Sequence, residues 1–199
     1  MIPISKVVAL GDGYFNPSKK GRVGEIALIL LVWFDNFVVT DSKPIFFKVD
    51  GCDGTEKVLE ALKQGKKPHV LLMNGIVHAG FNFVNPQKIF QETKTPVIVF
   101  QKEKPDMLAV YSALERHLNN WQERWKKLSS LTTLKPMRLI WPSVNNNPII
   151  SYVQSYGIDQ GDAEAFINRS LLVADVPEQL REARSLARAL GKFFELKDI

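Results

Sequence analysis

Three aspartates in this chain follow apolar runs, at positions typical of metal ligands. Asp12 follows the run 6–10, and Asp50 and Asp53 follow the run 45–49. Magnesium prefers oxygen ligands and is often held by one or two carboxylates, with waters and substrate phosphates completing the octahedron. In a hydrolase, such an ion activates water and offsets charge on the scissile phosphate. The pattern therefore predicts a divalent metal site with Asp12, Asp50 and Asp53 as catalytic acids.

A further apolar run, at 70–73, ends in Asn74 instead of a carboxylate. We expect Asn74 to join Asp12 and Asp50 as a ligand of Mg²⁺, or of Mn²⁺ in its place. An amide oxygen can coordinate a cation but brings no charge, so such a site would be impaired or altered. The structural alternative is that Asp53 caps a helix and Asp50 closes a glycine turn. Asp12 lies between two glycines at a strand end, where a packing role is disfavoured.

The order of predicted helices and strands differs between the first part of the chain and the rest. Turn residues at 35–36 and 41–44 separate the early β-branched and aromatic runs, which predicts three antiparallel strands with a short strand piece at 37–40. Helices and strands then alternate, as in βαβ units. The predicted strands are 6–10, 26–33, 45–49, 70–73, 96–100, 138–141 and 149–153, and the predicted helices are 54–63, 86–92, 106–128, 162–168 and a final helix from 177.

Apolar residues recur at intervals of three and four from Leu108 to Leu128, which predicts one continuous amphipathic helix. Its aromatic residues, including Trp121 and Trp125, are interpreted as core packing and not as a platform for stacking bases. The final helix starts at Pro177 and Glu178, since proline is preorganised for a first helical turn and an acid there complements the helix dipole.

This order of elements, three antiparallel strands followed by alternating helices and parallel strands, is that of the ribonuclease-H-like α/β fold, a mixed sheet with helices on both faces. We expect it to span residues 1–199 as one domain. Ligands of open α/β sheets gather at the carboxyl ends of the strands. Asp12, Asp50 and Asn74 would meet there if the first strand lies beside the strand that ends at Asn74.

Composition and charge narrow the class of protein. The 26 basic and 21 acidic residues leave a net charge of +5, which weakly favours an anionic partner. The single cysteine, Cys52, excludes an internal disulfide and is expected to be a small buried residue. No signal peptide or membrane-spanning run is recognisable, so we expect a cytoplasmic protein without a membrane partner.

Four segments resemble a mostly archaeal family related to endonuclease V. They are residues 10–13, 49–55, 74–82 and 177–184, and the resemblance extends over nearly the whole chain. The most specific pieces are Gly-Ile-x-x-Ala-Gly-Phe-Asn within the third segment and Pro-Glu-x-Leu-Arg at the start of the fourth. The resemblance implies a ribonuclease-H-like fold and a magnesium-dependent endonuclease.

Two positions depart from the pattern of that family. Asp12 matches its first metal-binding aspartate, but Asn74 stands where the second aspartate is expected and Arg184 where a histidine is usual. Both departures remove groups connected with metal chemistry.

The expected partner is DNA or RNA, with a deaminated base or a single strand as the target. Phe81 would wedge or stack against a base, and glycines would let the backbone approach the ligand. Lys66 and Lys67 are further basic loop residues near the expected rim. The predicted nucleic-acid-binding residues are Lys19, Lys20, Arg22, Gly75, His78, Gly80, Phe81 and Arg184.

Two functions remain open from the sequence. The first is an endonuclease V-like nucleic-acid-binding protein that hydrolyses phosphodiesters through an impaired or altered metal site. The second is a non-catalytic nucleic-acid-binding or protein-interaction module that retains the nuclease fold.

Overall fold

A computed structural model describes residues 4–13, 25–131, 135–139 and 149–195. These residues form a seven-stranded mixed sheet and a separate two-stranded hairpin. The strands are β1 (Lys6–Asp12), β2 (Ile26–Asp35), β3 (Val38–Lys48), β4 (Val70–Asn74), β5 (Val77–His78), β6 (Asn82–Phe83), β7 (Val97–Gln101), β8 (Lys135–Leu139) and β9 (Ile149–Tyr156). The helices are α1 (Gly54–Gln64), α2 (Pro86–Thr93), α3 (Met107–His117), α4 (Trp121–Leu131), α5 (Gln160–Arg169) and α6 (Glu178–Glu195).

The strand order of the large sheet is β3-β2-β1-β4-β7-β9-β8. The first three strands are antiparallel neighbours, and β1, β4 and β7 run parallel to one another. Leu10 lies opposite Met73 in the register of β1 and β4. The expected fold is therefore confirmed, and so is the expected pairing of β1 with β4. Asp12 and Asn74 lie at the carboxyl ends of these two adjacent strands.

Alternating side chains build a core on each face of the sheet. Val7 and Ala9 of β1 pack in the layer that contains Ala183 and Ala187 of α6. Val8 and Leu10 pack in the opposite layer with residues of α1, α2 and α4. Because both faces are covered, the central strands are apolar throughout, and β4 is buried from Val70 to Met73.

Two element predictions were wrong. Residues 38–40 of the expected strand piece and 45–48 of the expected strand belong to the single strand β3, which accommodates Pro44 because β3 is an edge strand of the sheet. The long helix from 106 to 128 is divided into α3 and α4. The backbone at Leu118 is extended, and the two asparagines that follow favour turns over helix.

The aromatic residues of this helical pair do pack against one another. The ring of Tyr111 lies edge-on to Trp121 and Trp125, with centroid distances of 5.2 and 5.1 Å. Leu108, which we expected on the apolar face, is 82% exposed at the start of α3.

Cys52 is exposed, so the expectation of a buried thiol was wrong. The reason is its place in the turn between β3 and α1. No helix among the described residues is long and apolar enough to span a bilayer.

Candidate functional site

Asp12 and His78 form a pair at the carboxyl end of β1. The Nδ1 atom of His78 lies 2.8 Å from Oδ1 of Asp12. The imidazole is completely buried, whereas the carboxylate is 40% exposed. Nε2 of His78 is also buried and has no hydrogen-bond partner among the described residues. The geometry therefore fits a ring whose Nδ1–H donates to Asp12 and fixes the direction of that carboxylate.

This contact with Asp12 is the one that the structure gives the His78 ring, and a nucleic-acid-binding role for His78 stays a prediction. The imidazole is fully buried, and Asp12 is its one polar partner among the described residues. Sequence reasoning placed His78 in the right loop but missed its partner, which lies 66 residues away in the chain.

Asp50 holds the loop that follows His78. Its Oδ1 accepts a hydrogen bond of 2.8 Å from the backbone N–H of Phe81. Its own N–H donates to the carbonyl of Ala79 at 3.0 Å. A Cβ at Gly80 would lie 2.3 Å from Oδ1 of Asp50, and Gly80 has φ +77°, so only glycine fits this approach without strain.

Asp53 takes part in a second structural network. Its Oδ1 accepts from Nδ2 of Asn82 at 2.6 Å and from the N–H of Lys48 at 3.2 Å. Asp53 occupies the N-cap position of α1, but its side chain makes no cap hydrogen bond, so that part of the prediction was wrong. The buried side chain of Asn82 takes this role, since its Oδ1 accepts from the N–H of Gly54 at 3.0 Å.

Arg124 is the residue at this site that sequence reasoning missed. It is 8% exposed and lies on α4, in the segment that we interpreted only as an apolar stripe. Its Nη1 donates to the carbonyls of Gly51 at 2.9 Å and Phe81 at 3.0 Å, and Nη2 donates to the carbonyl of Asp50 at 2.5 Å. Arg124 thus ties the turn after β3 to the loop after β5. An arginine within an otherwise apolar helical pattern was the available signal.

Asn74 and Arg184 both lie at the end of the sheet where β1 and β4 terminate, and both are exposed. The backbone of α6 crosses β1 closely at Gly11, where a Cβ would lie 2.3 Å from the carbonyl oxygen of Ala183 and 2.8 Å from the nitrogen of Arg184. Arg184 is therefore anchored beside the end of β1. Its neighbour Arg181 is bound to Glu178, and this contact lowers the pKa of the Glu178 carboxyl.

The predicted acids do not make a closed metal cage. No group of three His, Cys, Asp or Glu side chains that could hold a metal occurs among the described residues. In that part of the chain, no hydrogen bond or ion pair joins Asp12 to Asp50 or Asn74. Asp12 and Asn74 end adjacent strands and both side chains are accessible, so these are the residues whose oxygens could contribute to holding a cation.

The predicted basic residues are distributed unevenly. Lys66 and Lys67 are exposed and directly precede β4, so they lie at the amino end of that strand. Asn74 lies at the opposite, carboxyl end. Their expected place beside the site was wrong. Lys19, Lys20 and Arg22 lie outside the described residues.

Two hollows meet at the β5–β6 hairpin. The first is a cleft of about 220 Å³ that contains Asp12, His78 and Gly80. The second is an apolar cavity of about 170 Å³, bounded by Ile76 and Phe81 of the hairpin region and by residues of β7, α3, α4 and β9. Val77 lines both hollows.

The architecture is that of the ribonuclease-H-like class of α/β proteins, with the candidate site at the carboxyl ends of the parallel strands. A sequence model of the endonuclease dU family matches residues 3–191, so the chain belongs to that family. The UPF0215 protein of Thermococcus gammatolerans is 31% identical over 190 residues, covering 94% of this chain and 93% of the relative.

Solved structures share the fold. A protein of unknown function from Archaeoglobus fulgidus has a TM-score of 0.75 at 23% identity, covering 94% of this chain and 98% of its own. Endonuclease V of Ciona intestinalis, solved with a 24mer DNA containing an inosine, has a TM-score of 0.59 at 14% identity, covering 96% and 87%. The predicted relationship to endonuclease V is confirmed.

Proposed function

We propose that this protein binds nucleic acid that carries a deaminated base and hydrolyses a nearby phosphodiester at Asp12. The observation that carries the proposal is the shared wall at Val77, which places an apolar cavity next to the cleft of Asp12. A base turned out of its stack would occupy the cavity, and its backbone would cross the cleft. The name of the family, endonuclease dU, indicates deoxyuridine as the base.

The dimensions of the cavity support a single ring. A cavity of about 150 Å³ in another protein binds benzene, and the cavity here measures about 170 Å³. Eight of its ten lining residues are apolar, which suits the faces of a pyrimidine. Phe81, proposed from the sequence as a wedge or stacking residue, lies in this wall.

The residues have distinct roles in this proposal. Asp12, with Asn74, would hold Mg²⁺ together with the substrate phosphate, and the ion would supply charge neutralisation and an activated water. Asp50 would assist through the loop that it holds, since one of its oxygens is already bound to the N–H of Phe81. Asp53 remains a prediction as a catalytic acid, and its bonds to Asn82 and Lys48 favour a structural role.

The test is cleavage of a single-stranded oligonucleotide with one deoxyuridine, with and without Mg²⁺. We expect Asp12→Ala to reduce the rate by roughly a hundredfold or more, since a metal contributes several kcal/mol to such a transition state. Asn74→Asp adds a carboxylate at the end of β4, beside the strand that ends at Asp12, and should lower the Mg²⁺ concentration needed for half-maximal rate. Glu115→Gln removes an exposed acid from α3 and serves as the control. Magnesium-dependent cleavage that is equal in the wild type and Asp12→Ala would refute the proposal.

A second candidate is a binding module without catalysis. It is favoured by the amide at Asn74 and by the hydrogen bonds that already engage Asp50 and Asp53. Salt-dependent binding of the same oligonucleotide without any magnesium-dependent cleavage would establish this candidate. Failure to bind any oligonucleotide at low salt would instead indicate a protein partner.

A further inference from the structure

We propose that Gln101 selects the base in the cavity by reading its hydrogen-bonding edge, an inference that rests on the proposed function. Gln101 is the last residue of β7 and lines the apolar cavity. Its Oε1 is buried and has no hydrogen-bond partner among the described residues. Buried polar atoms are rarely left in this state, so an unpaired acceptor in a cavity wall indicates a ligand that donates a hydrogen.

The surroundings fix the place of this amide. Gln101 follows Val97 and Val99, whose side chains pack in the layer that contains the cavity, and the alternation of the strand places Gln101 on the same face. Gly75 adjoins the amide, since a Cβ at that position would lie 3.2 Å from Nε2 of Gln101. Gly75 also has φ +74°, so both its backbone and its missing side chain accommodate the arrangement.

The second amide of the cavity is already engaged. Nε2 of Gln154 donates to the carbonyl of Leu131 at 2.5 Å, and Gln154 is 5% exposed. Gln154 therefore helps to hold the wall, whereas Gln101 lines the same cavity and its Oε1 has no partner among the described residues.

The chemistry of an amide matches one class of base edge. Uracil presents an N3–H donor flanked by carbonyl oxygens, so Oε1 of Gln101 accepts from N3–H while Nε2 donates to a carbonyl. Cytosine presents a lone pair at N3, which would face the lone pairs of Oε1 in the orientation of the structure. The same acceptor suits any deaminated base with a lactam N–H, and the single-ring size of the cavity favours uracil among them.

The experiment is a set of affinities measured by fluorescence anisotropy in EDTA, so that no cleavage occurs. Wild type and Gln101→Met are titrated with single-stranded oligonucleotides that contain deoxyuridine, deoxycytidine or an abasic analogue at one position. Methionine has nearly the shape of glutamine but lacks the polar atoms. We expect the wild type to prefer deoxyuridine over deoxycytidine by roughly tenfold, as for a good two-bond contact to a base. In Gln101→Met, this ratio should fall to near unity.

The outcomes separate the two proposals. If the wild type binds deoxyuridine and the abasic analogue equally well, no base enters the cavity and the proposed function fails. If the wild type prefers deoxyuridine over the abasic analogue while Gln101→Met keeps the full preference over deoxycytidine, the inference about Gln101 alone is overturned. Gln87→Met, at an exposed position of α2, is the matched control and should leave every ratio unchanged.

A measurement on the ligand removes any dependence on the folding of the variant. An oligonucleotide with N3-methyldeoxyuridine lacks the donor hydrogen, and the wild type should bind it at least tenfold more weakly than deoxyuridine. Equal affinity for the two oligonucleotides would overturn the role of Gln101. Because methionine removes an unpaired buried acceptor, the unfolding midpoint of Gln101→Met should equal or exceed that of the wild type.

Discussion

The imidazole of His78 is bonded to Asp12 through one nitrogen, and its other nitrogen is buried without a partner among the described residues. The ring has no solvent contact, and Asp12 is its one polar neighbour in the described part of the chain, so its effect on chemistry must pass through Asp12. We assign it as a positioning residue that holds the carboxylate toward the cleft. In the proposed function Asp12 holds a metal, and partners that orient such a ligand are typically worth ten- to a hundredfold in activity.

His78→Phe should therefore reduce cleavage of the deoxyuridine oligonucleotide by roughly tenfold or more. His78→Asn should restore much of the rate, because the asparagine amide can donate to Asp12 from nearly the position of Nδ1. His117→Phe, at an exposed histidine of α3, is the control. A rate for His78→Asn as low as that for His78→Phe would show that filling the space, and not the hydrogen bond, is what matters.

The exposure of Asp12 was easier to predict from the sequence than the contacts of the other acids. Asp12 was selected because a carboxylate between glycines at a strand end has no packing role, and the structure leaves it 40% exposed. The bonds of Asp50 to Phe81 and of Asp53 to Asn82 could not be predicted, since they depend on how a hairpin 30 residues later folds back onto the turn. The arginine at 124 interrupts the apolar pattern of its helix, but the carbonyls to which it donates could not be predicted from the sequence either.

The helix α4 acts as a brace for two loops that belong to different parts of the sheet. Arg124 donates to carbonyls of the turn 50–51 and of Phe81, and no acidic side chain among the described residues pairs with it. Its position is fixed further by the bond from Nε to Oδ1 of Asn120 at 2.9 Å. The brace keeps the hairpin in place between the cleft and the cavity.

Arg124→Met should destabilise the fold and loosen the hairpin. The substitution leaves three carbonyls in part-buried positions without this donor, at a cost of about 1–3 kcal/mol for each group that water does not reach. We expect the free energy of unfolding in urea to fall by about 3 kcal/mol. Lys126→Met removes an exposed charge from the same helix and should change it by less than about 0.5 kcal/mol. Equal unfolding curves for the two variants would contradict the bracing role.

The prediction of elements succeeded where the apolar pattern was buried on both sides. Strands β1, β2, β4 and β7 lie in the middle of the sheet, and their runs of apolar residues gave their positions to within a few residues. The division between α3 and α4 was missed because the apolar spacing continues across Leu118. The break is a property of the backbone at Leu118 and of the two asparagines after it, and hydrophobic periodicity does not report it.

Exposed basic residues lie at both ends of the parallel strands, and nucleic acid would use one end or the other. Arg184 and Arg188 are exposed on α6, and Arg184 is anchored beside the end of β1. Lys66 and Lys67 are also exposed but lie at the amino ends of the parallel strands. The net charge of +5 alone does not distinguish these two surfaces.

Replacing both Arg184 and Arg188 by Gln should weaken binding of single-stranded nucleic acid and reduce its dependence on salt. Each lost phosphate contact lowers the slope of log K against log salt by about 0.7, so we expect a decrease of about 1.4. The pair Lys66→Gln and Lys67→Gln removes the same charge and should leave the slope unchanged. Identical slopes for the two double variants would place the nucleic acid on a different surface.

The position of Val77 between the two hollows has a consequence for how this protein could evolve. A substitution that enlarges the cavity for a two-ring base would also move the strand that carries His78, and with it the direction of Asp12. Under the proposed function, the range of bases accepted and the rate of cleavage are then mechanically linked, so variants selected to accept larger bases should lose rate until compensating changes arise in the neighbouring helices.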